Sequence, residues 1–401
     1  MKTTREDDSI PPPRMGLVVL IICILALASL ISQLTYIAPE DQGKIRLRFF
    51  IISSTVTYEN MNGEGNSWEF TEEYRAVGLF MNNSWQTVYL ANISHPIERY
   101  EVDADGNAVG LMSFFKPRID PGKNFTYRVE YGVVFEPRSI PEISEGESKT
   151  LADVPGDLKG LHCRAEGPWL VNESDIRDLA LRIAGNETIA LTVVKKFVAW
   201  IRDNIEYESS DISKYPNETL LEKAGDCDDQ ANLLITFCRI VGIPAYLQVG
   251  CIYLPSRYTD TSHYWNDSLM IILNRVAWHG WAMVYVPPWG WLPVDLTYVS
   301  RISLQVDPLN AIKLSAVIAH PTVQYANITR TNYVAAARDQ RDFLLANGFS
   351  IIEHDIMEEQ IVEEETVGAA AYRQPFEVIL LAPSRLSLRS WRILINGNFF
   401  Q

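Results

Sequence analysis

The sequence predicts an α+β protein in which a β-sandwich domain and a mixed helix-and-strand core follow one apolar membrane anchor. Three observations predict it. Residues 15–39 contain no charged side chain. Within residues 44–137, segments 44–49 and 124–131 alternate polar and apolar side chains with the period of two that marks half-buried strands. From residue 174 the apolar positions switch to helical spacing, and helices then give way to further strands.

The apolar run exceeds the roughly 20 residues that a helix needs to cross a bilayer. Lys2, Arg5 and Arg14 before it are balanced by Lys44, Arg46 and Arg48 after it, so the positive-inside rule assigns no orientation. Glycosylation sequons begin at Asn82, Asn92, Asn124, Asn172, Asn186, Asn217, Asn266 and Asn327, all beyond the run. They predict a single-pass protein of the cell membrane with its large portion outside the cell. The expected order is a cytoplasmic tail (1–14), the transmembrane anchor (15–38), the β-sandwich (44–140), the core (165–300) and a small C-terminal α/β extension (301–401). Ala26-Leu27-Ala28 has the form of a signal-peptidase site, so a cleaved signal is the alternative to a retained anchor.

The formal charge of −15 without a clustered Lys/Arg face excludes a nucleic-acid partner. With 47% hydrophobic and 21% charged residues, the chain is globular rather than disordered. Cys23 falls in the anchor. Cys163, Cys227, Cys238 and Cys251 form no dense framework: a Cys238–Cys251 bridge and buried thiols both remain open.

Strands are expected at 44–49 and 124–131, with turns at Asp105-Gly106 and Pro121-Gly122. Ile176, Leu179, Ala180 and Ile183 mark the buried face of a helix with Ser174 as its N-cap. Val193, Phe197, Trp200 and Ile201 mark another over 192–205. A third helix starts at Asp226, whose cap Asp229 reinforces, and ends at Gly242-Ile243-Pro244. Strands follow at 245–254, 269–273, 281–286 and 291–294, the last two joined through Pro287-Pro288-Trp289-Gly290. A helix over 333–346 and strands at 376–381 and 391–395 complete the chain.

Cys227 stands on the first turn of the third helix. An ordinary thiol has a pKa of about 8.5, and unpaired N–H groups at a helix start favour its thiolate. Asp226, Asp228 and Asp229 oppose that, so a nearby imidazolium is needed. His279, in Trp278-His279-Gly280-Trp281, and Asp295, in Trp291-Leu292-Pro293-Val294-Asp295, are expected at two strand ends joined by the tight turn. Nucleophile, base and orienting carboxylate in one chain point to acyl-transfer chemistry through a thiol.

Gly225-Asp226-Cys227-Asp228-Asp229, Gly242-Ile243-Pro244-Ala245, His279-Gly280-Trp281-Ala282-Met283-Val284-Tyr285-Val286 and Gly290-Trp291-Leu292-Pro293-Val294-Asp295 together resemble the transglutaminase-like superfamily, over residues 174–297. Trp200, Asn204-Ile205-Glu206-Tyr207 and Thr219-Leu220 fit the same pattern, whereas Met283 and Leu296 stand where an acidic residue and a proline are common. The resemblance implies a papain-like α+β core with Cys227 as nucleophile, His279 as general base and acid, and Asp295 orienting the imidazole. Tyr207 and Trp200 are candidates for the second oxyanion donor. A peptide or protein substrate is implied, with hydrolysis favoured over cross-linking and no cofactor or metal. The competing reading is a cell-envelope binding or scaffolding module that keeps the fold and turns nothing over.

Weaker constellations are His263 with Asp260 and Asp267, whose spacing fits no standard metal site, and the acidic runs Glu358-Glu359 and Glu363-Glu364-Glu365, which read as solvated surface. Trp278, Trp281, Trp289 and Trp291 are expected to wall the cleft and core rather than hold a cofactor.

Overall fold

The structure, a computed structural model, describes residues 47–360 apart from 115, 256 and 257. The tail, the anchor, Cys23, Glu363-Glu364-Glu365 and the strands expected at 376–381 and 391–395 lie outside the described residues. Among the described residues no helix is long and apolar enough to cross a membrane.

The first strand runs Arg48–Asn60, later and longer than the period-two pattern at 44–49 indicated. Phe50, Ile52, Val56 and Tyr58 alternate into the core. Such a strand must satisfy both edges. One edge pairs with Asn124–Phe135, which in turn pairs with Gln86–Ile93. The other edge is covered along its length by Phe349–Gln360, which pairs in turn with Leu269–Asn274, and that strand with Thr259–Tyr264. The sheet that begins within 44–140 is therefore completed by strands from much later in the chain. A smaller sheet, Ala76–Gly78, Ala108–Met112 and Ile97–Val102, is tied to it where the Tyr131 hydroxyl donates to the Gly78 carbonyl at 2.6 Å.

A second sheet of four antiparallel strands runs Gly290–Val294, Val276–Val286, Ala245–Tyr253, Thr322–Ile328. Against it lies the cysteine helix, Cys227–Ile240, with every residue from Cys227 to Arg239 buried. Helices Ser174–Ala184 and Ala190–Asn204 flank it, and Phe197 packs its ring 5.4 Å from that of Phe237. Each such buried apolar side chain contributes about 1.5–3 kcal/mol. The first of these helices starts at Ser174 itself, with Glu173 in the capping position and no side-chain cap bond, so the expected serine cap is not used. The strand carrying His279 begins at Val276, placing the histidine inside a strand rather than at its end. All four described cysteines are free thiols, which rules out the Cys238–Cys251 bridge.

Arg239, in the last turn of the cysteine helix, lies inside the protein, 2% exposed. It donates to the carbonyls of Ala245, Arg164 and Thr329 at 2.8, 3.1 and 3.0 Å and stacks 3.8 Å from the centre of the Trp169 ring. Burial pulls its guanidinium down to about 9, so the three carbonyls hold a cation that the interior disfavours. Arg239→Met leaves all three acceptors unpaired and is expected to cost about 3–5 kcal/mol, read as a lowered urea midpoint. Arg239→Lys should recover only part of it, because an ammonium cannot span three carbonyls in one plane.

Candidate active site

The cysteine helix is placed by local chemistry. Asp226 caps it: the Asp229 N–H donates to the Asp226 carboxylate at 3.4 Å, and the Asp226 N–H donates back to Asp229 at 3.3 Å. A short parallel pairing of Ala224–Gly225 with Glu206–Tyr207 fixes the approach to this cap. A Cβ on Gly225 would stand 2.7 Å from that of Asp229, so only glycine allows the chain to enter so closely. The capping pair foreseen from sequence is present, and Cys227 is the first helical residue.

Cys227 meets the strand that carries His279. The last partner on that side of the strand is Val294, opposite Ala282, so among the described residues no further strand pairs with that edge. There the Gly280 N–H donates to the Cys227 sulfur. A Cβ on Gly280 would sit 3.3 Å from that of Asp228, so the bare glycine lets helix and strand approach. Burial first, then the charges of Asp226 and Asp228, push the Cys227 thiol well up; the Gly280 N–H opposes them. The resting site therefore favours the protonated thiol.

His279 and Asp295 form the second half of the site. Nε2 of His279 lies 2.8 Å from Oδ2 of Asp295, and both side chains are buried. Asp295 follows the strand Gly290–Val294 and accepts backbone N–H groups from Thr297, Tyr298 and Ala316 at 3.2, 3.1 and 3.0 Å. Burial would raise its carboxyl, but the His279 imidazole and the Ala316 and Tyr298 N–H groups outweigh that and hold it below the ordinary carboxylate range. The His279 ring lies 5.9 Å from Trp281 and 6.3 Å from Tyr298.

The acidic surroundings of Cys227 divide in two. Burial, then the charges of Asp229 and Asp228, push Asp226 well up, while burial and Asp228 raise Asp229 to about 7. A proton held on this capping pair removes charge from beside the sulfur. Asp228 instead accepts the Tyr333 hydroxyl at 2.6 Å, and Asn232 donates to that hydroxyl at 2.6 Å. Tyr333 was missed from sequence because it lies on the helix Tyr333–Asn347, far along the chain, and no local pattern marks it.

Of the two oxyanion candidates, Tyr207 lies beside the approach to the cysteine helix, opposite Gly225 in the short parallel pairing, and burial, then the charge of Cys227, raise its hydroxyl. Trp200 packs edge-on against Phe237 at 5.7 Å, in the helical core. Asp226, Cys227 and Asp228 bring ligand atoms within 4.8 Å of one another, the one such group among the described residues. His263 pairs with Asp267 at 2.8 Å on the surface, and Asp260 accepts from Ser262. Glu359 holds Arg48 at 2.7 and 2.8 Å. Among the tryptophans, Trp281 joins the His279 surroundings, whereas Trp278 points into the opposite core beside Phe80 and Tyr325.

Residues 177–296 match the family model described as the transglutaminase-like superfamily, a span that contains Cys227, His279 and Asp295. No curated protein shows a significant match to the chain. A solved structure of a proposed cysteine protease from Cytophaga hutchinsonii is 20% identical, with a TM-score of 0.47 over 79% of this chain and 92% of that one. The periplasmic domain of TgpA from Pseudomonas aeruginosa is 14% identical, with a TM-score of 0.29 over 67% of this chain and 91% of that one.

Proposed function

We propose that this chain, whose segment 177–296 belongs to the transglutaminase-like superfamily, is a cysteine enzyme that cleaves or transfers peptide and isopeptide amide bonds. The buried His279–Asp295 bond at 2.8 Å, on the strand whose Gly280 N–H donates to the Cys227 sulfur, carries the reading. With Asp295 on Nε2, Nδ1 of His279 is the nitrogen that exchanges a proton with the thiol. Cys227 attacks the carbonyl carbon as its proton passes to His279, and N–H groups at the helix start stabilise the oxyanion. The tetrahedral adduct collapses to a thioester as the C–N bond breaks and His279 returns the proton to the leaving amine. Water, deprotonated by His279, then releases the acid and restores the thiol. Hydrolysis is favoured over amine transfer because no feature of the sequence specifies an acceptor site.

The enzyme works outside the cell, held to the membrane by the apolar segment 15–38. All the sequon asparagines except Asn327 are exposed, which suits glycosylation on that side. Asn327 is half-buried and accepts from Gln248 at 2.7 Å, so it is the one expected to stay bare.

Mass spectrometry after acid quench of the full chain with a library of peptide esters and amides tests the reading. An acyl increment on the Cys227 peptide, absent from Cys227→Ala, is expected. A folded chain that binds peptides but never acylates Cys227 would favour the scaffolding role instead.

A further inference from the structure

The large sheet, the small sheet and the four-stranded sheet enclose a cavity of about 50 Å³ that none of the catalytic residues enters. Trp278 and His279 are neighbours on one strand and so point to opposite faces, which puts this cavity behind the catalytic centre. Its walls include the rings of Phe80, Tyr127, Tyr131, Trp278 and Tyr325, with the carboxyl of Glu353 among them. Half-buried Ser54 and Gly78 line the side nearest solvent.

Glu353 is 2% exposed, and its Oε2 has no hydrogen-bond partner. It stands opposite Val56 in the sheet, while Asp355, opposite Ser54, is also buried and is engaged by Trp278 at 2.7 Å. Among the described residues no Lys, Arg or His forms an ion pair with either carboxyl. Burial, and then the charge of Asp355, press the Glu353 carboxyl well above the ordinary range. A buried carboxyl with an unmatched oxygen calls for a cation, a proton or ordered water. With no cation bound, that pressure keeps a proton on Glu353; ring faces attract a cation and contribute little to water, so a cation bound there releases that proton as it takes its place. At about 10–15 Å³ for each water molecule held, the space admits a head group of a few heavy atoms and nothing larger. Gly78 belongs to the same construction: a Cβ there would stand 1.5 Å from the Tyr325 hydroxyl, so a side chain would force that ring from its place.

We propose that this cavity is a binding site for a small primary ammonium group, with Glu353 as its counter-ion and the tyrosine and tryptophan rings as its cage. The site is independent of the amide chemistry at Cys227. Calorimetric titration of the full chain with methylammonium chloride, at ionic strength held constant with potassium chloride, tests it. Saturable one-to-one binding is expected, weakened at least tenfold in Glu353→Gln, a variant of the same shape whose thermal melt verifies folding. Val56→Ile, which adds a methyl group to the cavity wall and keeps the carboxyl, should weaken binding as well. Absence of saturable binding to the wild-type chain, or a change of less than tenfold in Glu353→Gln, overturns the proposal.

Discussion

Cys227→Ala is expected to abolish turnover of any peptide substrate, lowering kcat by about ten-thousand-fold or more with binding retained. The sulfur has no substitute in the site. Asp226 and Asp228 flank it, but Asp226 caps the helix and Asp228 accepts the Tyr333 hydroxyl. The loss should fall on kcat because the thiol acts at bond formation rather than in holding the peptide. Stability should change little: Cys227 is 3% exposed, and alanine removes only the sulfur while the capping bonds remain. Steady-state kinetics alongside peptide binding measured by fluorescence anisotropy check this. A variant retaining more than about one per cent of the wild-type rate would place the nucleophile elsewhere.

Asp295→Asn is expected to lower kcat by about a hundred- to ten-thousand-fold with KM nearly unchanged. An asparagine oxygen can still accept from Thr297 and Tyr298, which share Oδ1 of the aspartate. Its amide nitrogen then faces the Ala316 N–H and Nε2 of His279, where Oδ2 now accepts both. The imidazole must turn Nε2 into an acceptor and carry its proton on Nδ1, which can no longer take the proton of the thiol. Stability responds with a definite sign. The wild-type carboxyl is held below its ordinary value of about 3.9, so it stabilises the fold above that pH and loses the contribution as pH falls through the folded-state value. The stability gap to Asp295→Asn in urea should be widest above pH 4 and close below it.

The start of the cysteine helix was legible because its information is local: Asp226 and Asp229 are three residues apart and cap each other. The turn Pro287-Pro288-Trp289-Gly290 was legible for the same reason. His279 was placed at a strand end because Val276-Ala277-Trp278 has no alternation, and a strand buried on both faces carries none. The serine cap failed because capping depends on where the helix begins, and Ser174 already lies inside it. What stayed hidden is what distant segments supply. Phe349–Gln360 completes the sheet begun by Arg48–Asn60, and Tyr333 reaches Asp228 across 105 residues. Ala316 supplies an N–H to Asp295, but its contribution depends on the folded chain rather than on any pattern around it.

The proposed cooperation of Cys227 with His279 is most directly measured as the rate of iodoacetamide alkylation of Cys227, by peptide mapping, in the wild-type chain and in His279→Ala. Burial and two neighbouring carboxylates press the thiol toward its protonated form, so only a base beside it makes the sulfur reactive near neutrality. At pH 7 the variant is expected to react at least tenfold more slowly, with the gap narrowing as pH rises and hydroxide replaces the imidazole. Equal rates at pH 7 would contradict a Cys227–His279 pair and leave the cysteine a buried thiol at a helix start.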